Sequence, residues 1–256
     1  MLQALGTIIS TAAREPTSDE LHCGLFDYYD HWREKDQRLD ERHDSISHVA
    51  EVYAHDLVNL SVYAGQILHW LRPENIQSPP SVVVVSAVTE AFITVARSAC
   101  DGLGVALSQV ASENQGQVPK DSLRALLNWA CNHPNRVAKE VRPAFDYDFE
   151  WFWQLRSIRD YLVHKGAHAN IHCDTKQFNL WLHIPNKGWI KREPLLPILA
   201  QTTQNLIDLG DHISKFVEDR MPLPNDRYRT RMLQGVTIHS LYELIKVAPK
   251  YAKPSP

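Results

Sequence analysis

Glycine is scarce and scattered in this chain, ten residues among 256. No Gly-rich phosphate loop and no Gly-x-Ser-x-Gly elbow occurs. Most nucleotide-binding and serine-hydrolase chemistries are therefore excluded, because each needs glycine where the backbone closes on a phosphate or turns sharply beneath a nucleophile. Cysteine is sparser still, with four residues. Cys23, Cys100, Cys131 and Cys173 lie far apart, with no Cys-x-x-Cys pair and no zinc-ribbon spacing. Free thiols in a reducing compartment are the expectation. Positive charge is not in excess, since the formal net charge is −3. No global field draws the protein onto nucleic acid, so any such contact must come from a local patch. Long apolar runs are missing too. The longest is Val82–Val85, and the opening stretch MLQALGTIISTAARE lacks a basic leader and is too short to cross a bilayer. A cytoplasmic protein without a membrane span is expected.

What is present is helical texture. In residues 36–71 apolar side chains recur at Ile46, Val49, Tyr53, Leu57, Leu60 and Leu68. Those spacings belong to one face of a helix, and the charged first half (REKDQRLDERHD) reads as a solvated face. Pro73 stops it. Pro79-Pro80-Ser81 opens a second long helix to about Val110, with Val82–Val85 absorbed into its pattern. Further helices are predicted over 120–132, 146–165, 195–220 and 229–247, with Gly166 just past the end of the fourth. Residues 179–192 flank the turn-forming PNKG and predict a β-hairpin. The fold class is thus mainly α, a helical bundle with a small β-hairpin insertion. The expected organisation is an N-terminal helical extension over 1–78, a bundle over 79–248 and a disordered tail over 249–256.

Chemistry concentrates in WFWQLRSIRDYLVHKG, residues 151–166. On a helix, Trp151, Leu155, Ile158 and Leu162 form an apolar stripe, while Arg156, Asp160 and His164, four apart, form a neighbouring column. Arg159 lies between stripe and column. Beside a buried face, Asp160 can hold the imidazole of His164, and Arg159 offers a planar fork suited to phosphate. The bland reading is an Asp–His–Arg network that closes the helix end.

The sequence Arg159-Asp-Tyr-Leu-Val-His164 resembles the motif of HEPN domains, an arginine and a histidine separated by four to six residues, often with a polar residue after the arginine. Arg38/His43 and Arg42/His48 fit the spacing too. They lie in the charged segment, and only Arg159/His164 has the polar follower and the apolar stripe. The resemblance is close over about twenty residues and general over the helical core. It implies an all-α bundle whose protomers pair to form a composite site. It implies a metal-independent endoribonuclease without cofactor, of a kind found in toxin–antitoxin and antiphage defence systems, with RNA as substrate and an antitoxin or regulatory protein as further partner. In that reading His164 is the acid/base, Arg159 the electrostatic group and Asp160 the group that orients His164. Arg156 and Lys165 contact the RNA backbone, and Glu90 on the second helix supports Arg159. Glu90 otherwise pairs with Arg97 or faces solvent. The family also has non-catalytic members, so the alternative is a helical module that binds a protein partner or nucleotide.

Two further groups were weighed. His164, His168, His172 and Cys173 have the donor types of a zinc site, but Gly166 interrupts their helical spacing, and a solvent-facing histidine cluster is the preferred reading. Trp151 and Trp153 are expected to pack the bundle. On the hairpin, Trp181 and His183 fall on the face opposite Leu180, Leu182 and Ile184. Trp181 then covers an interface or the core, or stacks on a base.

Overall fold

The computed structural model describes residues 20–21, 23, 25–26, 28, 41–76, 79–174, 177–184, 188–222 and 236–247. It is mainly helical, with a small antiparallel sheet. Contact density divides the chain into two compact units, each assembled from separated stretches. One takes described residues up to Ala54, with Gly102–Phe145 and Gly210–Ile238. The other takes His55–Asp101, Asp146–Leu209 and residues from His239 onward. The candidate site lies wholly in the second.

Helix α1 spans Glu41–Trp70. Its apolar stripe is buried at Ile46, Val49, Tyr53, Leu57 and Leu60, then passes through Ala64 and Ile67, leaving Leu68 half-buried. The expected start at residue 36 lies outside the described residues. A single helical turn, Pro73–Ile76, follows. Helix α2, Pro79–Ser108, opens on two prolines, whose fixed φ and missing N–H suit a first turn. The Val82–Val85 run is helical, as its continuation required. By length and composition α2 also passes as a membrane-crossing helix, with a mean hydropathy of 1.6 in an 18-residue window within Ser81–Ser108. Val85, Phe92, Ile93, Ala96, Ala99 and Leu103 are core residues, an arrangement compatible with a soluble protein.

Helix α3 is Leu123–Asn132. It begins three residues later than position 120 because Ser122, with extended backbone, accepts the Ala125 N–H at 3.2 Å on its side-chain oxygen. Gly104 of α2 lets α3 approach, since a Cβ there would stand 2.5 Å from the Leu123 Cα. Helix α4 covers Glu150–His164, shorter at both ends than 146–165. The Asp148 carboxylate accepts the Glu150 N–H at 3.0 Å just ahead of the first turn. Gly166, at φ +62°, turns the chain out of the helix.

The insertion is larger than a hairpin. Strands β2 (His168–Asp174), β3 (Gln177–Ile184) and β4 (Gly188–Pro194) form an antiparallel sheet in the order β2-β3-β4. The added strand, β2, holds His168 and His172 at alternate positions. Their alternation with Ala169 and Ile171 is the strand signal. Strand β1 (Glu20–Leu21) pairs separately with β5 (Val236–Thr237). Helix α5, Leu195–Arg220, follows β4 directly, as expected. Helix α6 is described over His239–Val247; of the helix predicted over 229–247, Val236–Thr237 form β5 instead, and residues 229–235 lie outside the described residues. The predicted tail over 249–256 lies outside the described residues. Cys23, Cys100 and Cys131 are free thiols, and burial pushes Cys23 and Cys100 up to about 12, which leaves both inert.

Candidate functional site

Helix α4 is anchored by its inner face. Trp151, Phe152, Leu155 and Ile158 are buried, and Leu162 is half-buried. Trp153 does not pack the core as expected, and is 36% exposed. From α2 the guanidinium of Arg97 sits 4.7 Å from the centre of the Phe152 ring. The same guanidinium pairs with Asp101, one turn on, at 2.5 Å. Arg97 is buried, so its charge is tolerated only with this carboxylate and this ring face at hand. The role of Arg97 was missed. Its signal was an arginine inside an apolar helix with an acid four residues later.

The outer face carries the chemistry. One guanidinium nitrogen of Arg159 lies 2.7 Å from His164 Nε2. Arginine only donates, so Nε2 accepts and the ring proton sits on Nδ1. The same nitrogen lies 3.4 Å from an Asp160 carboxylate oxygen. The other Asp160 oxygen takes Arg156 at 3.1 Å. The side chains of Arg156, Asp160 and Arg159 are 25%, 29% and 30% exposed, so water and ligands reach all three. Two guanidiniums share one carboxylate, which leaves a cationic cluster at the helix end.

The expected residues are thus partly brought together. Arg159 meets His164 directly. Asp160 holds both arginines rather than orienting His164, because two cations compete for it and both reach it. Lys165 is exposed, and its ammonium rests 4.4 Å from the centre of the Tyr161 ring. Glu90 serves neither Arg159 nor Arg97. Its carboxylate accepts the backbone N–H of Ala169 at 2.8 Å, tying the start of β2 to α2. That partner could not be foreseen without β2.

The histidine cluster does not converge. Gly166 separates His164 from β2, where His168 and His172 stand four residues apart along an extended strand. Among the described residues no group of three His, Cys, Asp or Glu side chains is placed to hold a metal. Of the other motif-like pairs, Arg38 lies outside the described residues. Arg42 donates to the backbone carbonyl of Gln109 in the first unit, so it is a structural tie and not part of a solvated face. No family model, curated protein or solved structure matches this chain.

Proposed function

We propose that the protein is a metal-independent endoribonuclease acting by 2′-hydroxyl transesterification, with Arg159 and His164 as its catalytic pair. The observation that carries this reading is the 2.7 Å contact between Arg159 and His164 Nε2, at an accessible helix end that bears net positive charge. A phosphate entering there exchanges places with the imidazole on the guanidinium. Arg159 then binds the non-bridging oxygens, and the released Nε2 lone pair becomes available as a base. The 2′-oxygen forms a bond to phosphorus as its proton passes to Nε2, and the bond to the 5′-oxygen breaks, leaving a 2′,3′-cyclic phosphate. The departing oxygen needs a proton, which a second imidazole supplies most directly. A homodimer with a composite site provides it. Val163, 47% exposed beside His164, is the kind of apolar neighbour a second protomer would cover.

Arg156 helps to neutralise Asp160, which leaves Arg159 freer to meet an anion, and Lys165 extends the positive rim. Cytoplasmic residence, with an antitoxin or regulatory partner in a toxin–antitoxin or antiphage system, completes the reading. The second reading is a non-catalytic module that binds a protein partner or nucleotide. What favours it is the engagement of Asp160 with both arginines, a closed network of the kind that serves structure alone.

The test is incubation of labelled single-stranded and structured RNAs with the wild type and with Arg159→Ala/His164→Ala, in EDTA. Cleavage by the wild type alone, leaving cyclic-phosphate ends, supports the nuclease. Intact RNA with a well-folded dimer favours the binding module.

A further inference from the structure

The three-stranded sheet has two unlike faces. Residues paired across an antiparallel ladder share a face. Ala169, Ile171, Leu180 and Leu182 are buried and form the inner one. The outer face is polar and aromatic. Its first row places His168 opposite His183. Its second row places Asn170 opposite Trp181. No carboxylate occupies any of these four positions. His168 and His172 are exposed, Asn170, Trp181 and His183 are half-buried, and the His172 ring lies 5.5 Å from that of Trp181. Asn179, in the third row, is buried while its partner His172 is exposed, so the face is open along β2 and at the end nearest His168. That end begins four residues after His164, just past the turn at Gly166.

We propose that this outer face, around His168, His172, Trp181 and His183, is a binding surface for single-stranded RNA. The choice of RNA rests on the ribonuclease reading, and the surface adds a means of holding the bases to the phosphate contacts of Arg159, Arg156 and Lys165. An indole face stacks on any base, and imidazoles and amides hydrogen-bond to base edges and phosphates. Without carboxylates in the two open rows, no fixed negative charge opposes the backbone there. Successive rows stand about 6.8 Å apart along a strand, close to the step of an extended nucleotide chain. A zinc site is a poorer fit, since His168 and His183 supply two donors and no third converges on them among the described residues. A second protomer is also a poorer fit, since the face lacks the apolar centre of a stable interface.

The probe is a 2′-O-methyl RNA of roughly 12 nucleotides, within the range such a surface spans, whose blocked 2′-oxygens prevent cleavage. Binding to the full chain is followed by fluorescence anisotropy. Trp181→Leu is expected to weaken it by about 5-fold to 100-fold, the worth of one stacked base. The exposed pair His168→Ala/His172→Ala is expected to weaken it by at least about 3-fold, one hydrogen bond or more. The histidine variant keeps the proposal decidable should the tryptophan variant fail to fold. Unchanged affinity in folded sheet variants overturns the proposal, as does loss of dimerisation with affinity unchanged. If the sheet variants lose binding while unmodified RNA stays uncut by the wild type, the surface stands and the nuclease reading falls. If RNA is cut and the sheet variants keep wild-type KM and affinity, the nuclease stands and the surface falls.

Discussion

Helices α1 and α4 each carry an arginine followed within seven residues by a histidine, Arg42/His48 and Arg159/His164, and the two pairs meet different fates. Arg42 reaches away from its helix to the buried Gln109 backbone carbonyl. Arg159 turns along its own helix and meets His164. The spacing is nearly the same, so the distinction lies in what surrounds each guanidinium. A backbone carbonyl near Arg42 claims one of its donors, and once that bond is made the charge belongs to the fold. Around Arg159 the available acceptors are one shared carboxylate and an imidazole at a helix end, both accessible. A charge that ties two elements together is spent on stability, whereas one held by exposed, exchangeable partners is available to a ligand.

Substitutions can break that contrast. The largest expected effect is on cleavage. His164→Ala should lower the rate by about 10²-fold to 10⁴-fold, and Arg159→Ala by about 10²-fold to 10³-fold, while each changes stability by less than about 1 kcal/mol. Initial rates on a labelled RNA, with urea melts of the same preparations, check both halves. A loss of cleavage that tracks a loss of stability would make α4 no different from α1. Arg42→Ala should do the reverse, removing about 1.5 kcal/mol of stability and leaving cleavage within about 2-fold, because it strands the Gln109 carbonyl. A shift in the urea midpoint at constant slope is the readout.

The carboxylates extend the comparison. Asp160 on α4 has two arginines, whereas Asp56 on α1 is half-buried and its pKa is raised to about 6, first by burial, against the opposing effects of Ser98 and His55. Its pKa unfolded is near 3.8. As pH rises from about 4 to about 6 the unfolded chain has released this proton and the folded one still holds it, so stability falls and then levels above pH 6. Asp56→Asn should therefore be more stable than wild type by about 1 kcal/mol at pH 7, a value reduced for the partial exposure of the group, and equal to it near pH 4. Equal melting profiles across that range would show that Asp56 is no costlier than its paired counterpart. The smallest effect belongs to Asp160→Asn. Its ion pairs are accessible, so stability should change by less than about 0.5 kcal/mol. Freed of the carboxylate, Arg156 and Arg159 should bind RNA more tightly, by about 2-fold to 5-fold at low salt, an effect that shrinks as salt is raised.

Much of the frame was legible in the residues themselves. Periodicity placed α1, α2 and α5, the prolines placed the breaks, and Gly166 placed the end of α4, because those signals act between residues a few positions apart. Boundaries were less legible where one of several nearby polar residues takes the capping bond, as Ser122 rather than Asp121 does for α3. Strand β2 was not read, since one strand's alternation gains meaning only beside β3. In the site, Arg159 and His164 were legible because they share one helix, and Leu155 and Ile158 marked its buried side. The bond from Glu90 to the Ala169 amide joins residues 79 positions apart, and the pairing of His168 with His183 needs a register that only the folded sheet sets. The sequence by itself determined the helices, their inner faces and which arginine and histidine stand at the end of α4. The tertiary structure alone decided which charge is tied down and which stays open, because burial and hydrogen-bond partners come from distant parts of the chain, and local periodicity carries no record of them.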